Sequence, residues 1–241
     1  MAAFNHTKQY EREVFKNYKK IATMIKAIVS SHINVNGQID DFPDLYHDLA
    51  RYGAGLADWA NAFWLQVLTR QALRVQRDFN EFNDRLGKSK ISFNKLQPYL
   101  ASEVYRLQRQ QVELITTLPL RAAAEAQELA NKAALETGKR AEYLKAQLMG
   151  LNPGYPDYAA QRLARTEIAK AQSMLVQNQA QAVGITHFIW RTAGDSAVRD
   201  RHAELEGQVF AFNDPPEIEG EGAHLPGQVY NCRCYAEPII T

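Results

Sequence analysis

Apolar positions recur every three or four residues through most of the first 180 residues, the spacing that gathers side chains on one face of a helix. Phe15, Tyr18, Ala22, Ile25 and Val29 mark a first helix, and Asn36-Gly37 marks a turn after it. Pro43 suits the first turn of a second, longer helix running towards Leu86. Its apolar set is Leu45, Leu49, Leu56, Trp59, Ala60, Phe63, Val67, Val75 and Phe79. Tyr52-Gly53-Ala54-Gly55 is where it is expected to break, because each glycine weakens a helix interior by about 1 kcal/mol. The stripe of Trp59, Phe63 and Trp64 reads as core. Gly87 to Ser92 is a polar link. Pro98 opens another helix through Leu100, Val104, Leu107, Val112 and Ile115, and Pro119 opens a further, alanine-rich one to Leu135, with Gly138 at its end. A short segment from Tyr143 to Met149 follows, then the clearest break in the chain, Asn152-Pro153-Gly154-Tyr155-Pro156. Asp157 to Val183 is the last long helix, with Ile168, Ala171, Leu175, Asn178 and Ala182 on one face and Gly184 at its C-terminal cap.

After Gly184 the period shortens. His187 to Thr192 has strand composition, Ala193-Gly194-Asp195 turns, and Val198 to Leu205 has room for two helical turns closed by Gly207. Val209 to Phe212 is strand-like, Asn213 to Gly227 is a loop too polar to pack by itself, and Cys232 to Ile240 suits a final strand. These elements predict an α+β protein: a predominantly helical N-terminal two-thirds, then a small mixed C-terminal domain of short strands packed on a helix.

Charge changes this picture little. The net charge is +1, which argues against a strongly basic nucleic-acid binder. Residues 1–180 carry 24 Lys and Arg against 18 Asp and Glu, and residues 181–241 carry 4 against 9, so the two parts differ in sign. A solvated helical face beside an acidic loop accounts for the split; a basic flank facing DNA or an acidic partner is the sharper alternative. No run reaches the roughly 18 apolar residues of a membrane span, and Met1 to Tyr10 is too polar for a signal-peptide core, so no membrane partner is expected. The two cysteines, Cys232 and Cys234, are one residue apart, a spacing at which a bridge would be strained and would close almost no loop. Reduced thiols are expected.

The terminal region carries motifs in a fixed order. Ala164-Arg165-Thr166-Glu167 lies on the last long helix. Trp190-Arg191-Thr192-Ala193-Gly194-Asp195 follows, then Val198-Arg199, then His202, Leu205 and Gly207. Leu225-Pro226-Gly227 and Tyr230-Asn231-Cys232-Arg233-Cys234 close the series. Together they resemble the phage Mu F-like minor head (capsid morphogenesis) protein family, with its A-R-T-E helix, W-x-T-x-x-D turn, H-x-x-L-x-G segment and closing N-C-R-C. The resemblance covers roughly residues 118–238 and divides the chain into a Mu F-like domain over 118–241, helical to about residue 183, and a helical extension over 1–117 without such a likeness. It implies a structural role in a tailed-phage virion, at the portal vertex, for a protein made in the host cytoplasm. The implied partners are the portal protein, the scaffold or major capsid protein, and packaged DNA during packaging or ejection.

Three readings of the polar residues stand beside the resemblance. In the first, Arg165, Glu167, Asp195, Arg199 and His202 form a structural charge network, Arg165 reaching Asp195 or Asp200 and Glu167 reaching Arg191 or Arg199. In the second, Glu167, Asp195 and His202 are the acid/base cluster of a hydrolase or nuclease. The network is preferred, since no nucleophile, phosphate loop or cofactor motif accompanies these groups and no enzyme activity is expected. In the third, His202, His224, Cys232 and Cys234 are a zinc set, because zinc favours Cys and His in four-coordinate sites. Against it stands a plain packing role, with the thiols in the core and Arg233 turned outward to Glu204 or Glu206. That role needs no cofactor. The remaining histidines, His6, His32, His47 and His187, read as single surface or core residues.

Overall fold

A computed structural model of the chain describes Phe4, residues 7–85, 98–136, Gly138 and residues 157–239. The segments Gly87 to Ser92, Tyr143 to Met149 and Asn152 to Pro156 lie outside the described residues. Among the described residues, five long helices come first: α1 (Lys8–Ser31), α2 (Phe42–Gly55), α3 (Ala57–Arg85), α4 (Pro98–Leu135) and α5 (Asp157–Ala182). Then follow β1 (His187–Thr192), the short α6 (Asp200–Ala203), β2 (Val209–Ala211), β3 (Glu217–Ile218), β4 (Gly222–Ala223) and β5 (Cys234–Pro238). The protein is α+β, as the apolar periods predict.

The chain forms two compact units. One comprises Met1–Val14, Phe63–Arg109 and Gln161–Thr241, the other Phe15–Ala62 and Gln110–Ala160. Residue 118, where the motif resemblance begins, lies inside α4.

In α1 the buried face is Val14, Tyr18, Ile21, Ile25 and Val29, with Phe15 and Ala22 flanking it. The expected break at the two glycines occurs: α2 ends at Gly55, Leu56 caps it, and α3 starts at Ala57. Asp41 opens α2, its carboxylate accepting from the Asp44 N–H at 2.9 Å. Gly53 is small for a packing reason, since a Cβ there would stand 2.5 Å from the Thr116 carbonyl oxygen of α4. Of the α3 aromatics, Trp64 is fully buried, Phe63 is half-buried and Trp59 is exposed, so only part of that stripe is core.

Pro119 does not open a helix. It lies inside the continuous α4, where the buried face Ile115, Leu118, Ala122, Ala123 and Ala126 runs unbroken across it. A proline removes one donor and crowds one carbonyl, and burial on both sides outweighs that local cost. Helix α5 is buried on more than the one expected face. Ala164, Ile168, Ala171, Gln172, Ser173, Leu175, Val176, Gln179 and Ala180 are all covered. Small and amide side chains allow this: the Gln71 amide donates to the Ile168 carbonyl and to Gln172 Oε1, both at 3.1 Å. The end of α5 is a Schellman cap, with Ile185 N donating to Ala180 O at 2.8 Å, Gly184 N donating to Gln181 O at 3.1 Å, and Gly184 at φ +81°.

Strands β2, β1 and β5 form an antiparallel sheet in that order. Phe188 pairs with Phe210, Trp190 with Ala236, and Thr192 with Cys234. The inward side chains are Phe188 and Trp190 on β1 and Cys234 and Ala236 on β5. The segment read as a loop, Asn213 to Gly227, contains a β3–β4 hairpin that pairs Glu217 with Ala223 and Ile218 with Gly222. Its glycines at 220 and 222 take φ +79° and +77°, which gives the tight turn that the polar composition concealed.

Candidate metal centre around His202

The motifs meet at Asn231. This residue has φ +55°, a left-handed conformation that asparagine tolerates better than most residues. Two groups of α5 hold it there. Arg165 Nη1 donates to Asn231 Oδ1 at 2.9 Å, and the Asn231 N–H donates to Thr166 Oγ1 at 2.9 Å. Gly227 lets the preceding turn approach the same helix, since a Cβ there would lie 3.1 Å from Ala169 O and 3.3 Å from Cys234 O, at φ +91°. The A-R-T-E helix therefore positions the backbone just before the C-R-C segment.

The short helix α6 and the turn before it present His202. Its N–H donates to Arg199 O at 2.9 Å, and the imidazole is almost wholly buried, edge-on to Trp190 with ring centres 5.5 Å apart. Gly207, at φ +78°, returns the chain to β1 by donating its N–H to Trp190 O at 2.9 Å. His202 Nδ1 lies 3.5 Å from Cys232 Sγ and 3.5 Å from Cys234 Sγ. Both thiols are free and buried. Its other nitrogen, Nε2, lies 2.9 Å from Glu221 Oε2. Glu221 sits in the β3–β4 turn, its N–H donating to Ile218 O at 2.9 Å. The same carboxylate oxygen is 3.1 Å from His224 Nε2, and Oε1 is 3.4 Å from Arg199 Nε. His224 Nδ1 faces Leu225 O at 3.0 Å.

The titration of these groups follows from the contacts. The bond to Cys232 raises the His202 pKa above its ordinary value; burial opposes this and Glu221 adds to it. Burial pushes the Glu221 carboxyl up, but the bonds and charges of His202, Arg199 and His224 outweigh burial and hold it below the usual range. Cys232 is the thiol that ionises first: the bond from Cys234 stabilises its thiolate against burial, and His202 adds to that. Cys234 is pushed up, first by its bond to Cys232 and then by burial.

The residues singled out from sequence are thus brought together only in part. His202, Cys232 and Cys234 converge, while His224 joins Glu221 on the far side of the His202 ring. The charge network divides into separate pairings. Arg165 meets Asn231 and, at 3.6 Å, Glu11, not Asp195 or Asp200. Glu167 faces Lys170 of its own helix at 3.4 Å. Asp195 pairs with Arg233, which therefore does not turn to Glu204 or Glu206. Arg199 also donates to Tyr230 O at 2.7 Å. Glu221, which links Arg199, His202 and His224, was not singled out; its one signal is a carboxylate three residues before His224 in a glycine-flanked turn.

Residues 125–237 match the family described as phage Mu protein F like protein. An uncharacterized protein of Haemophilus influenzae is 36% identical over 78 residues, which are 32% of this chain and 17% of that protein. The match therefore spans less than a fifth of that relative's length. No solved structure matches the chain. Among the described residues, no helix is long and apolar enough to cross a membrane.

Proposed function

The chain carries a phage Mu F-like region over residues 125–237, and from that premise we propose that it is a minor head protein of a tailed phage, acting in head morphogenesis at the portal vertex. The observation that carries the proposal is the family match, reinforced by what the matched motifs do. Arg165, Thr166 and Asn231 fasten α5 to the C-R-C segment, and Trp190, His202 and Gly207 fasten β1 to α6. These are contacts that fix a small domain. The hydrolase or nuclease reading is less well supported. Glu167, Asp195 and His202 are engaged with Lys170, with Arg233, and with Glu221 and the two thiols respectively, three different sets of partners. Acid/base catalysis needs such groups within reach of one reacting atom.

Contact with the portal protein, scaffold or major capsid protein, and a part in DNA packaging or ejection, belong to the same proposal. Quantitative mass spectrometry of purified virions and of empty proheads tests it, together with co-expression with the portal and size-exclusion chromatography. The expected result is the protein in both particles at low copy number and co-elution with the portal. Absence from proheads together with independent elution would overturn it.

A further inference from the structure

We propose that His202 Nδ1, Cys232 Sγ and Cys234 Sγ bind a zinc ion, with Glu221 as the carboxylate that orients His202 toward it. This goes beyond the head-protein reading and does not depend on it.

The first observation is the donor geometry. Tetrahedral zinc with sulfur at its usual distance and imidazole nitrogen at its own sets each S···N separation at about 3.5 Å. Both separations from His202 Nδ1 are 3.5 Å. The three donor atoms lie within 4.8 Å of one another. Two elements distant in sequence create this match, the α6 helix and the C-R-C segment before and in β5.

The second observation is the Glu221 carboxylate on the opposite ring nitrogen. Accepting the Nε2 proton at 2.9 Å, it leaves the Nδ1 lone pair directed at the two sulfurs. Zinc-bound histidines are generally oriented by such a carboxylate or carbonyl acceptor. His224 and Arg199 hold Glu221 in turn, at 3.1 and 3.4 Å. His224 therefore supports the site from behind rather than ligating the ion.

The same line of Cys, His and Glu also resembles an activated thiol nucleophile. Burial decides between the two uses. Cys232 is 2% exposed and Cys234 6%, so a substrate carbonyl has no approach, while an ion needs none after folding. Two soft sulfur donors with one imidazole select zinc over magnesium or calcium, which take oxygen. The fourth position is left to water.

The test uses the full chain, purified without added chelator and, separately, refolded with zinc chloride. Elemental analysis is expected to give close to one zinc per chain, and X-ray absorption at the zinc edge is expected to show two sulfur neighbours. Chelator competition then ranks variants. Cys232→Ser and Cys234→Ser should lose tight binding. Glu221→Gln retains all three ligands and should weaken binding about 10- to 100-fold. His187→Ala, at an exposed position on β1, should bind as the parent does. Glu221→Gln keeps the test decisive if the cysteine variants do not fold. Little zinc in both preparations, with two titratable free thiols, would overturn the site, as would a disulfide or a zinc with fewer than two sulfur neighbours. Equal affinity of Glu221→Gln and His187→Ala would overturn the role of Glu221.

Discussion

In the described residues of helices α1 to α4 the buried side chains recur at helical spacing and are mostly aliphatic or aromatic, as in Val14, Tyr18, Ile21, Ile25 and Val29 of α1. In residues 187–239 the longest strand has six residues, and the covered set mixes Phe188, Trp190 and Phe212 with His202, His224, Cys232 and Cys234. A helix supplies its own backbone hydrogen bonds, so its stability scales with the apolar face it buries. A sheet of strands this short has few backbone pairs and little apolar area, so particular side-chain contacts must fix it. The helices should therefore respond to volume changes wherever they occur, and the terminal region to the loss of single named groups.

The largest expected effects separate the two regions by where the damage appears. Trp190→Ala should cost about 3–5 kcal/mol, because the indole is fully buried and walls both His202 and His224. Leu49→Ala in α2, equally buried, should cost about 2–5 kcal/mol. Urea denaturation measures both. Limited proteolysis at native conditions then distinguishes them: Trp190→Ala should open the 213–227 segment to cleavage well below the global transition, and Leu49→Ala should not. Equal early cleavage in both variants would mean that the terminal region has no local stability of its own.

The two regions also differ in how much of them is legible in the sequence. Period alone located the long helices, and Gly53 and Gly55 gave the break between α2 and α3. It failed at Pro119, because a proline signals a helix start locally while only tertiary burial can carry a helix through it. It placed Trp59 in a core stripe because one residue of a helical face looks like the next until a neighbour covers it. In the terminal region the motifs marked residues but did not give their partners. Arg165 was expected at Asp195 or Asp200 and meets the amide of Asn231 and the carboxylate of Glu11; Arg233 was expected at Glu204 or Glu206 and meets Asp195. Partners across 30 to 66 positions, such as His202 with Cys232 or Arg165 with Asn231, depend on turns built by Gly207, Gly220 and Gly227, and no local period encodes them. Glu221 stayed hidden because a glutamate in an acidic loop looks solvated.

An intermediate effect sharpens the helical side of the comparison. A methyl group added at Gly53 would meet the Thr116 carbonyl oxygen, a backbone atom that cannot move cheaply, while one added at Gly55 meets nothing within 4 Å. Gly53→Ala should thus destabilise by about 1–3 kcal/mol through overpacking, less the gain of up to about 1 kcal/mol in helix propensity. Gly55→Ala should be neutral or stabilise by a few tenths to about 1 kcal/mol. Opposite shifts in melting temperature are the expected outcome; a stabilised Gly53→Ala would show that α2 does not press on α4 there.

The smallest expected effect belongs to Glu206, and its pH dependence is the informative part. Its Oε2 accepts the Thr192 backbone N–H at 2.6 Å, and Oε1 lies 3.3 Å from Arg191 Nη1. Burial raises the carboxyl, but the Thr192 bonds and Arg191 outweigh burial and leave it below its ordinary 4.5. A carboxyl depressed in the folded state adds stability that is complete above the unfolded value and disappears as pH falls through the folded one. Because Glu206 is 41% exposed, solvent screens the Arg191 pair, and most of the effect lies in the bond to Thr192. Glu206→Gln should therefore cost about 0.5–1 kcal/mol at neutral pH. Melting temperatures of parent and variant, measured from pH 7 downward, should stay apart until about pH 4.5 and converge below it. The same titration on Gly53→Ala should give a constant offset from the parent, since no ionisable group enters that contact. A Glu206→Gln offset that persists unchanged at low pH would mean that the carboxylate charge does not hold the end of β1, and that shape, as in the helices, holds it instead.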